Sequence, residues 1–565
     1  MNKNRYTYIY STILLLVLLI TSSCDQDLLN VQPTDRLADN AIWQDSSLVE
    51  AFVINTYIGP RLTNKEGVES SGAGFGRTWE YALWSSLTDE SIYNNDDDTW
   101  LIQRGELSPA NLGIAGTIWG RSYRVIRDCN LFLDNIDDVN MSESKKQRLT
   151  AEIKFVRAYR YHDLIRNYGE VPLMGDEVYQ LEDNLLAEDL YEKASISEAI
   201  DYVVSELDKA AQNLPTDHNS NWEKGRATKG AALALKSRLL LYAASPLYTD
   251  GNNDPNKWQA AADAAEEVMN MQKYSLYPDY GELFLTPYNN SEIIFERVYT
   301  FDNRHLPLEI ANGPNGYGGW AGNTPLQNLV DDYEMDNGMP IDESGSGYDP
   351  QNPYEDRDPR FYETILFNGA EYRDREVETF VPGGRDSEDG QQPWNTSKTG
   401  YYLRKFINPD LPITNPWNGQ STQPWIYIRY AEVLLNYAEA QNEATGPDAS
   451  VHDAVNEVRN RVGMPDLPQN LTQSEMRERI RNERRIELAF EEHRFYDVRR
   501  WEIAMDTENE PAYGMRITKN GDGSLEYERK VALDGRSFEE KHYWLPIPRE
   551  EIQASDGQLE QNPGY

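Results

Sequence analysis

The spacing of apolar residues predicts that the chain is mainly helical between about residues 45 and 300. One stripe has the spacing of a single helix face and consists of Phe155, Ala158, Tyr159, His162 and Ile165. Gly169 follows where such a helix should end. The pattern therefore predicts a long helix that stops before Gly169.

Three further helices are predicted in the same half of the chain. One lies near residues 195–213 and ends before Pro215, and an alanine-rich one runs from about Trp258 to Met271. Thr228 can cap the third, which ends at Pro246 and whose apolar face consists of Ala231, Ala232, Leu235, Leu239 and Tyr242. Small alanine side chains let helices approach closely, as in stacked helix pairs.

Residues 300–425 differ because they are rich in Gly, Pro, Asn, Asp and aromatic residues and show few helical periods. Loops this long are usually functional or disordered, and the aromatic content favours a functional role. Helical patterns return over Ile428–Ala438, Val451–Val462 and residues 473–491. We therefore expect an all-α fold in which the two helical sets pack together, with the loops and a few short strands mounted outside.

The amino terminus has the order of a secretory signal. Lys3 and Arg5 precede the short apolar run Ile13–Ile20, and three small residues lead to Cys24. This order resembles a bacterial lipoprotein signal, although Thr21 stands where such signals usually carry Leu. The prediction is a signal peptide over residues 1–23, lipidation of Cys24 and a tether over residues 24–44. A plain secretory peptide with a chance cysteine is the alternative.

The charge of the chain restricts its partners. Acidic residues number 94 and basic residues 54, which gives a net charge of −40. Such a chain repels phosphate backbones and anionic lipid, so we expect no nucleic-acid partner and an anchor supplied by lipid alone. The 36 Tyr and 13 Trp are many for a mean hydropathy of −0.71, so some rings should lie near the surface. Cys129 is the one cysteine after Cys24, which excludes an internal disulfide.

Several motifs occur in a fixed order along most of the chain. They are Ala151–Leu173 with FVRAY, Gly225–Tyr242 with GRAT, Arg357–Arg360 (RDPR), Tyr430–Ala440 (YAEVLLNYAEA), Glu483–Trp501 with ERRIELAFE, Leu545–Pro548 (LPIP) and Gln561–Tyr565 (QNPGY). Together they resemble the SusD/RagB family of nutrient-binding outer-membrane lipoproteins.

The resemblance implies a scaffold of four tetratricopeptide-like helix pairs. The corresponding organisation is an N-terminal SusD-like helical region over residues 45–299 and a C-terminal SusD/RagB region over residues 300–565, with the loop-rich insert at 300–425. It also implies a partner, a SusC-like TonB-dependent outer-membrane transporter that this protein would cover like a lid.

The charged residues of these motifs are interpreted as structural. They comprise four arginines and four acids, namely Arg157, Arg238, Arg485, Arg494, Glu152, Glu432, Glu487 and Asp497. On adjacent helices they can form buried ion pairs, and the loss of one partner from such a pair is strongly destabilising.

Signatures of catalysis are weak in this sequence. The six His residues form no H-E-x-x-H spacing, and neither a G-x-S-x-G elbow nor a P-loop occurs. The run Asp96-Asp97-Asp98 could hold calcium, but it lacks the spacing of a known loop, so a solvated turn is favoured. We expect no enzyme activity, no cofactor and no metal site.

Two loop clusters combine aromatic and amide side chains, as a sugar-binding surface requires. Sugar C–H faces stack on rigid rings, and amides and charged groups bind the hydroxyls. The predicted ligand-binding residues are Trp84, Tyr93, Asn94, Asn95, Trp100, Tyr317 and Trp320. Trp119, Tyr123 and Trp501 are predicted to lie in the core, and the loop residues Trp394, Trp417 and Trp425 are weaker ligand candidates.

The predicted function is capture of oligosaccharides at the cell surface and their delivery to the transporter. A RagB-like peptide-binding lipoprotein is the main alternative, but a peptide site would use fewer stacked aromatics. A surface glycoside hydrolase with an unrecognised carboxylate pair and a pure helical scaffold are the remaining alternatives.

Overall fold

The computed structural model describes residues 39–59, 62–63, 69–70, 82–96, 98–180, 183, 186, 190–220, 223–286, 288–300, 308–413 and 421–565. Cys24, Asp97 and Trp417 lie outside these ranges, so the predictions made for them stay predictions. Within the described ranges, none of the helices combines the length and the apolar character needed to cross a bilayer.

Helices make up most of the regular structure. In chain order, α1–α9 span Asp39–Ile42, Ser46–Ile58, Trp100–Gln103, Ile118–Asn135, Glu143–Tyr168, Ile196–Asn213, Lys229–Ala244, Pro255–Met269 and Tyr280–Leu283. Helices α10–α18 span Leu308–Asn312, Gln327–Asp332, Pro359–Thr364, Tyr430–Thr445, Ala449–Arg461, Gln473–Glu487, Arg494–Arg500, Ala504–Thr507 and Arg549–Ala554.

The strands are short and pair antiparallel in twos. Strands β1–β6 span Leu62–Thr63, Glu69–Ser70, Ser91–Tyr93, Ile293–Arg297, Asn323–Pro325 and Ile365–Leu366. Strands β7–β12 span Glu371–Tyr372, Arg375–Glu376, Tyr402–Leu403, Trp425–Arg429, Ala512–Lys519 and Leu525–Leu533. The pairs are β1–β2, β3–β5, β4–β10, β6–β9, β7–β8 and β11–β12.

The long helices form one packed series. Each helix from α4 to α8 contacts the next, and α13 then packs on both α8 and α7, while α14 and α15 pack on α13. The predicted association of the two helical sets is confirmed, and these eight helices supply the four pairs of the expected scaffold. Buried alanines of α7 and α8, among them Ala231 and Ala265, allow the close approach.

Helix boundaries follow the predicted signals closely, with two differences. The Thr228 hydroxyl caps α7, and Gly169 ends α5 with a φ of 74°. Ile428, however, belongs to strand β10, because this segment pairs with β4 before α13 begins. Helix α15 stops at Glu487 instead of near residue 491, since Phe490 has a φ of 64°, which a right-handed helix does not allow.

The predicted structural role of the motif charges is confirmed, because all eight residues form ion pairs. Arg238 binds Glu432 with its Nε and Nη2 atoms, each 2.6 Å from a carboxylate oxygen. The other partners come from elsewhere in the fold: Arg157 pairs with Glu206, and Glu487 accepts hydrogen bonds from three arginines. Ion pairing of this kind offsets the cost of burying the charges.

Asp89 connects the helical frame to strand β3. Its carboxylate accepts hydrogen bonds from the Nε and Nη2 atoms of Arg494 at 2.8 and 2.7 Å and from the Nη1 atom of Arg485 at 2.5 Å. Burial by itself raises the pKa of Asp89, but Arg485 and Arg494 outweigh it and hold that pKa well below its usual range. The loop before β3 is therefore held on α15 and α16 by the hydrogen bonds of two guanidinium groups to the Asp89 carboxylate.

Replacement of Arg494 should reduce stability and leave the fold of the remaining protein intact. We expect Arg494→Ala to lower the free energy of unfolding by about 3–5 kcal/mol, because it leaves the buried Asp89 carboxylate with one guanidinium fewer. Denaturant unfolding followed by circular dichroism measures this loss. The control is Arg385→Ala, which breaks an exposed two-point pair with Glu378 and should leave the midpoint nearly unchanged. Equal midpoints for wild type and Arg494→Ala would refute the structural role.

Glu90, the neighbour of Asp89, predicts a pH dependence. It is buried, its Oε2 atom has no hydrogen-bond partner among the described residues, and burial raises the pKa of Glu90 to about 8. Between about pH 4.5 and pH 8 the unfolded chain loses this proton while the folded protein keeps it, so stability falls as the pH rises. At most this costs about 1.4 kcal/mol per pH unit.

Glu90→Gln should remove that contribution. The difference in melting temperature between Glu90→Gln and wild type should therefore grow from pH 5 to pH 8 in scanning calorimetry. Glu526→Gln, which alters an exposed carboxyl on β12, provides the matched control and should show a constant difference. Parallel curves for Glu90→Gln and wild type would show that Glu90 is already ionised in the folded protein.

Candidate functional site

The pairing of β3 with β5 brings the two predicted aromatic clusters together. Tyr93 lies opposite Asn323 in this pair, and the backbone NH of Asn94 donates to the Gly322 carbonyl at 2.7 Å. Residues that are more than 200 positions apart in the sequence thus meet at one edge of the frame. The sequence predicted the two clusters separately, and the strand pair unites them.

Trp100 is held in one orientation at this edge. Its indole Nε1 donates to the Tyr93 carbonyl at 3.0 Å, and its backbone NH donates to the Asp96 carboxylate at 2.9 Å. The ring is half-buried, with the Lys398 ammonium 5.4 Å and the Arg104 guanidinium 5.2 Å from its centroid. Trp100 is therefore a fixed, partly accessible ring with two cations beside it.

Tyr317 and Trp320 lie in the adjoining segment and are also half-buried. The Tyr317 hydroxyl donates to the Tyr372 carbonyl at 2.6 Å, and the Arg375 guanidinium stacks 4.0 Å from the ring centroid. Burial raises the pKa of Tyr317 to about 12. One face and the hydroxyl of Tyr317 are thus occupied, and the part that can meet a ligand is the rest of the ring.

Three predicted ligand residues are corrected because the structure buries them. Trp84 is 2% exposed and packs against Phe495 and Tyr496, with centroid distances of 4.6 and 5.7 Å. Tyr93 is 3% exposed and lies in strand β3, whose three residues are all buried. Asn95, by contrast, is exposed and keeps its predicted place as a possible contact.

Asn94 is the third buried residue, and its amide serves the architecture of the site. Its Nδ2 donates to the Thr396 carbonyl at 3.0 Å, and its Oδ1 accepts the backbone NH of Lys398 at 3.0 Å. The Lys398 Nζ also donates to the Asn94 carbonyl at 2.6 Å. Asn94 therefore fixes the segment 396–398 instead of touching a ligand.

The most exposed tryptophan in the described part of the chain is Trp394, at 72%. It lines a cleft of about 420 Å³ together with Lys398, Asp386 and residues of the β11–β12 hairpin, including Lys530. Lys398 lines this cleft and also lies beside the Trp100 ring, so Trp100 is close to the cleft without lining it. Trp394 was a weaker candidate in the sequence, and the structure makes it the central one.

A buried amide also holds the Trp394 loop. The Nδ2 atom of Asn315 donates to the Gln391 carbonyl at 2.7 Å and to the Thr396 hydroxyl at 3.2 Å, on either side of Trp394. The Oδ1 atom of Asn315 accepts the Tyr402 hydroxyl at 2.6 Å. These hydrogen bonds hold the loop that carries Trp394 on the protein, while the indole ring of Trp394 faces solvent.

The remaining aromatic predictions divide between core and surface as follows. Trp119 and Trp501 are buried and Tyr123 is half-buried against the core, as predicted, although Trp501 lies one residue past the end of α16. Trp425 is also buried, in strand β10, so its weaker ligand prediction is wrong.

Asp386 and Asp96, two carboxylates of this region, are engaged in contacts within the protein. Both oxygens of Asp386 are bound by Arg375, at 2.6 and 2.9 Å. No group of three potential metal-ligating side chains occurs within the described ranges. Asp96 instead binds the backbone NH of Trp100, and Asp98 is exposed.

Comparison with known proteins identifies relatives over nearly the whole chain. Residues 259–565 match the model of the SusD family, and residues 69–241 match a model described as starch-binding associating with outer membrane. SusD-like protein P2 of Formosa agariphila is 25% identical over 517 residues, which cover 85% of this chain and 90% of that protein.

Solved structures show the same fold. A SusD-like protein from Bacteroides fragilis superposes with a TM-score of 0.76 at 32% identity and covers 94% of this chain and 100% of its own. A second protein of that organism, described as a SusD-like carbohydrate binding protein, has a TM-score of 0.77 at 29% identity and covers 92% and 100%. The helical frame with attached loops is thus shared with these proteins.

Proposed function

This chain belongs to the SusD family, and from that premise we propose that it is a cell-surface lipoprotein that captures oligosaccharides. It delivers them to a SusC-like TonB-dependent transporter in the outer membrane and breaks no bond in the process. The description of one relative as a carbohydrate binding protein supports the ligand class, and the description of the second family model supports the location.

The observation that carries the proposal is the cleft beside Trp394. An exposed indole ring with Trp100 nearby offers flat apolar faces for sugar C–H groups. Lysine side chains at the same cleft supply hydrogen-bond donors for hydroxyl groups. The exposed aromatic ring favours sugar over peptide as the ligand, because a peptide site would use fewer stacked aromatics.

The carboxylates of the cleft favour binding without hydrolysis. A glycosidase needs two available carboxyl groups, about 5–10 Å apart across the scissile bond. Asp386 accepts hydrogen bonds from Arg375 and from the backbone NH of Glu378, the second at 2.9 Å. Of the carboxylates that line the cleft, only Glu388 is not held by such hydrogen bonds. The lining therefore lacks the two available carboxyl groups that hydrolysis requires.

Removal of the cleft tryptophan should weaken glycan binding without unfolding the protein. We expect Trp394→Ala to lower the affinity for the best oligosaccharide of a glycan panel at least ten-fold, or about 1.4 kcal/mol. Trp100→Ala and Trp320→Ala should give smaller losses, since these rings are half-buried. Isothermal titration calorimetry on the soluble form that begins after Cys24 provides the measurement.

The matched control is Tyr288→Ala, which removes an exposed aromatic ring outside the cleft and should leave affinity unchanged. Equal affinities for Trp394→Ala and wild type would place the binding site elsewhere. Binding of peptides in preference to every glycan would support the RagB-like alternative, and new reducing ends during incubation would support a hydrolase.

The anchor has its own test. We expect mass spectrometry of membrane-extracted protein to find an amino-terminal Cys24 that carries lipid, because the preceding residues form a lipoprotein-type signal. Cys24→Ser should release the protein from the membrane fraction, whereas Cys129→Ser, at a buried thiol, should leave it there. An unmodified Cys24 in the membrane fraction would remove lipidation from the proposal.

A further inference from the structure

The cleft beside Trp394 is basic, although the chain as a whole is strongly acidic. Lys398, Arg516 and Lys530 all line it, in a protein whose net charge is −40. Such a local reversal of sign focuses the electrostatic field on a small region and attracts anionic ligands to it.

The two lysines of the cleft lack carboxylate partners. Within the described ranges neither Lys398 nor Lys530 has a carboxylate oxygen within ion-pair distance, and the Lys398 Nζ bonds only to the Asn94 carbonyl. The buried Lys405, by contrast, lies 2.8 Å from the Glu491 carboxylate. Half-buried ammonium groups without a counter-charge are costly, and an anionic ligand group would offset that cost.

The surroundings of both lysines are consistent with this. Burial lowers the pKa of Lys398, and the charge of Asp96 opposes the shift only in part. Burial likewise lowers the pKa of Lys530, where Glu388 opposes the shift and Arg516 adds to it. An anion between these groups would raise the pKa of both lysines again.

The acidic residues near the cleft leave this positive field largely in place. The charge of Asp386 is neutralised by Arg375 through both of its oxygens. Glu388 and Glu528 are exposed, and Glu528 lies opposite Arg516 in the register of the hairpin. The unpaired positive charge therefore remains on Lys398 and Lys530, next to the exposed ring of Trp394.

From this arrangement we propose that the glycan bound in the cleft is acidic and carries carboxylate or sulfate groups. The anionic group lies against Lys398 and Lys530 while the sugar ring stacks on Trp394. This proposal rests on the proposed function, because it names the substrate class of the same site. Any sugar ring could stack on Trp394, and the lysines add recognition of the ligand's negative charge.

Calorimetry with three soluble probes tests the proposal. Polygalacturonate oligosaccharides present carboxylates, carrageenan oligosaccharides present sulfates, and cello-oligosaccharides are neutral. We expect an acidic probe to bind at least ten-fold more tightly than the neutral one at low ionic strength, and that preference to shrink in 0.5 M NaCl because salt screens the charges. The probe that binds more tightly identifies the anionic group as carboxylate or sulfate.

The variants separate charge from stacking. Lys398→Gln combined with Lys530→Gln should lower affinity for the acidic probe at least ten-fold and affinity for the neutral probe by a much smaller factor, because each Gln keeps a hydrogen-bond donor but carries no charge. Gln can still donate to the Asn94 carbonyl, which protects the loop. Lys209→Gln removes the same charge from an exposed site on α6 and is the matched control. Equal melting temperatures for all variants verify that the fold is retained.

Two results would overturn the inference, and only the second would also overturn the proposed function. If neutral glycans bind as tightly as acidic ones and the lysine variants behave like wild type, the acidic substrate class is refuted while sugar binding stands. If no glycan binds and Trp394→Ala changes nothing, the proposed function fails as well.

Discussion

The carboxylate of Asp89 joins the loops of the candidate site to the helical frame. It lies two residues before β3 and binds Arg485 of α15 and Arg494 of α16. Strand β3 in turn aligns β5, and Asn94 after it fixes the segment that carries Lys398. The positions of Trp394 and of the neighbouring Trp100 therefore depend on a charged contact in the interior, which the motif residues Arg485 and Arg494 form.

Much of the frame could be predicted from sequence because its signals are local. Apolar periodicity located helices α5 to α8, and residues such as Thr228 and Gly169 marked their ends. The motif charges were also recognised as ion pairs, although most of their partners lie far away along the chain, as with Arg157 and Glu206. The hairpin β11–β12 was not predicted, yet alternation on both sides of the turn Asn520–Gly523 is a signal that could have indicated it.

The candidate site was less predictable because exposure is decided by tertiary contacts. Trp84 and Trp394 both lie in polar, loop-like sequence, yet one is 2% and the other 72% exposed. Trp84 is covered by Phe495 and Tyr496, more than 400 residues away in the chain. Trp394 projects from a loop whose buried contacts are made by its neighbours. Composition selected the correct kind of residue, and packing decided which rings remain free.

The loops are fixed by buried amides rather than by regular secondary structure. Asn94 and Asn315 are fully buried, and each bonds to backbone groups of the segment around Trp394. An unpaired buried amide would cost about 1–3 kcal/mol. The arrangement of the loop in which both asparagine amides are hydrogen-bonded is therefore favoured over others. A ring presented in this way loses little entropy when a sugar stacks on it. A Gly- and Pro-rich segment can therefore offer a rigid binding surface, and this explains why its composition resembles a flexible loop while its contacts do not.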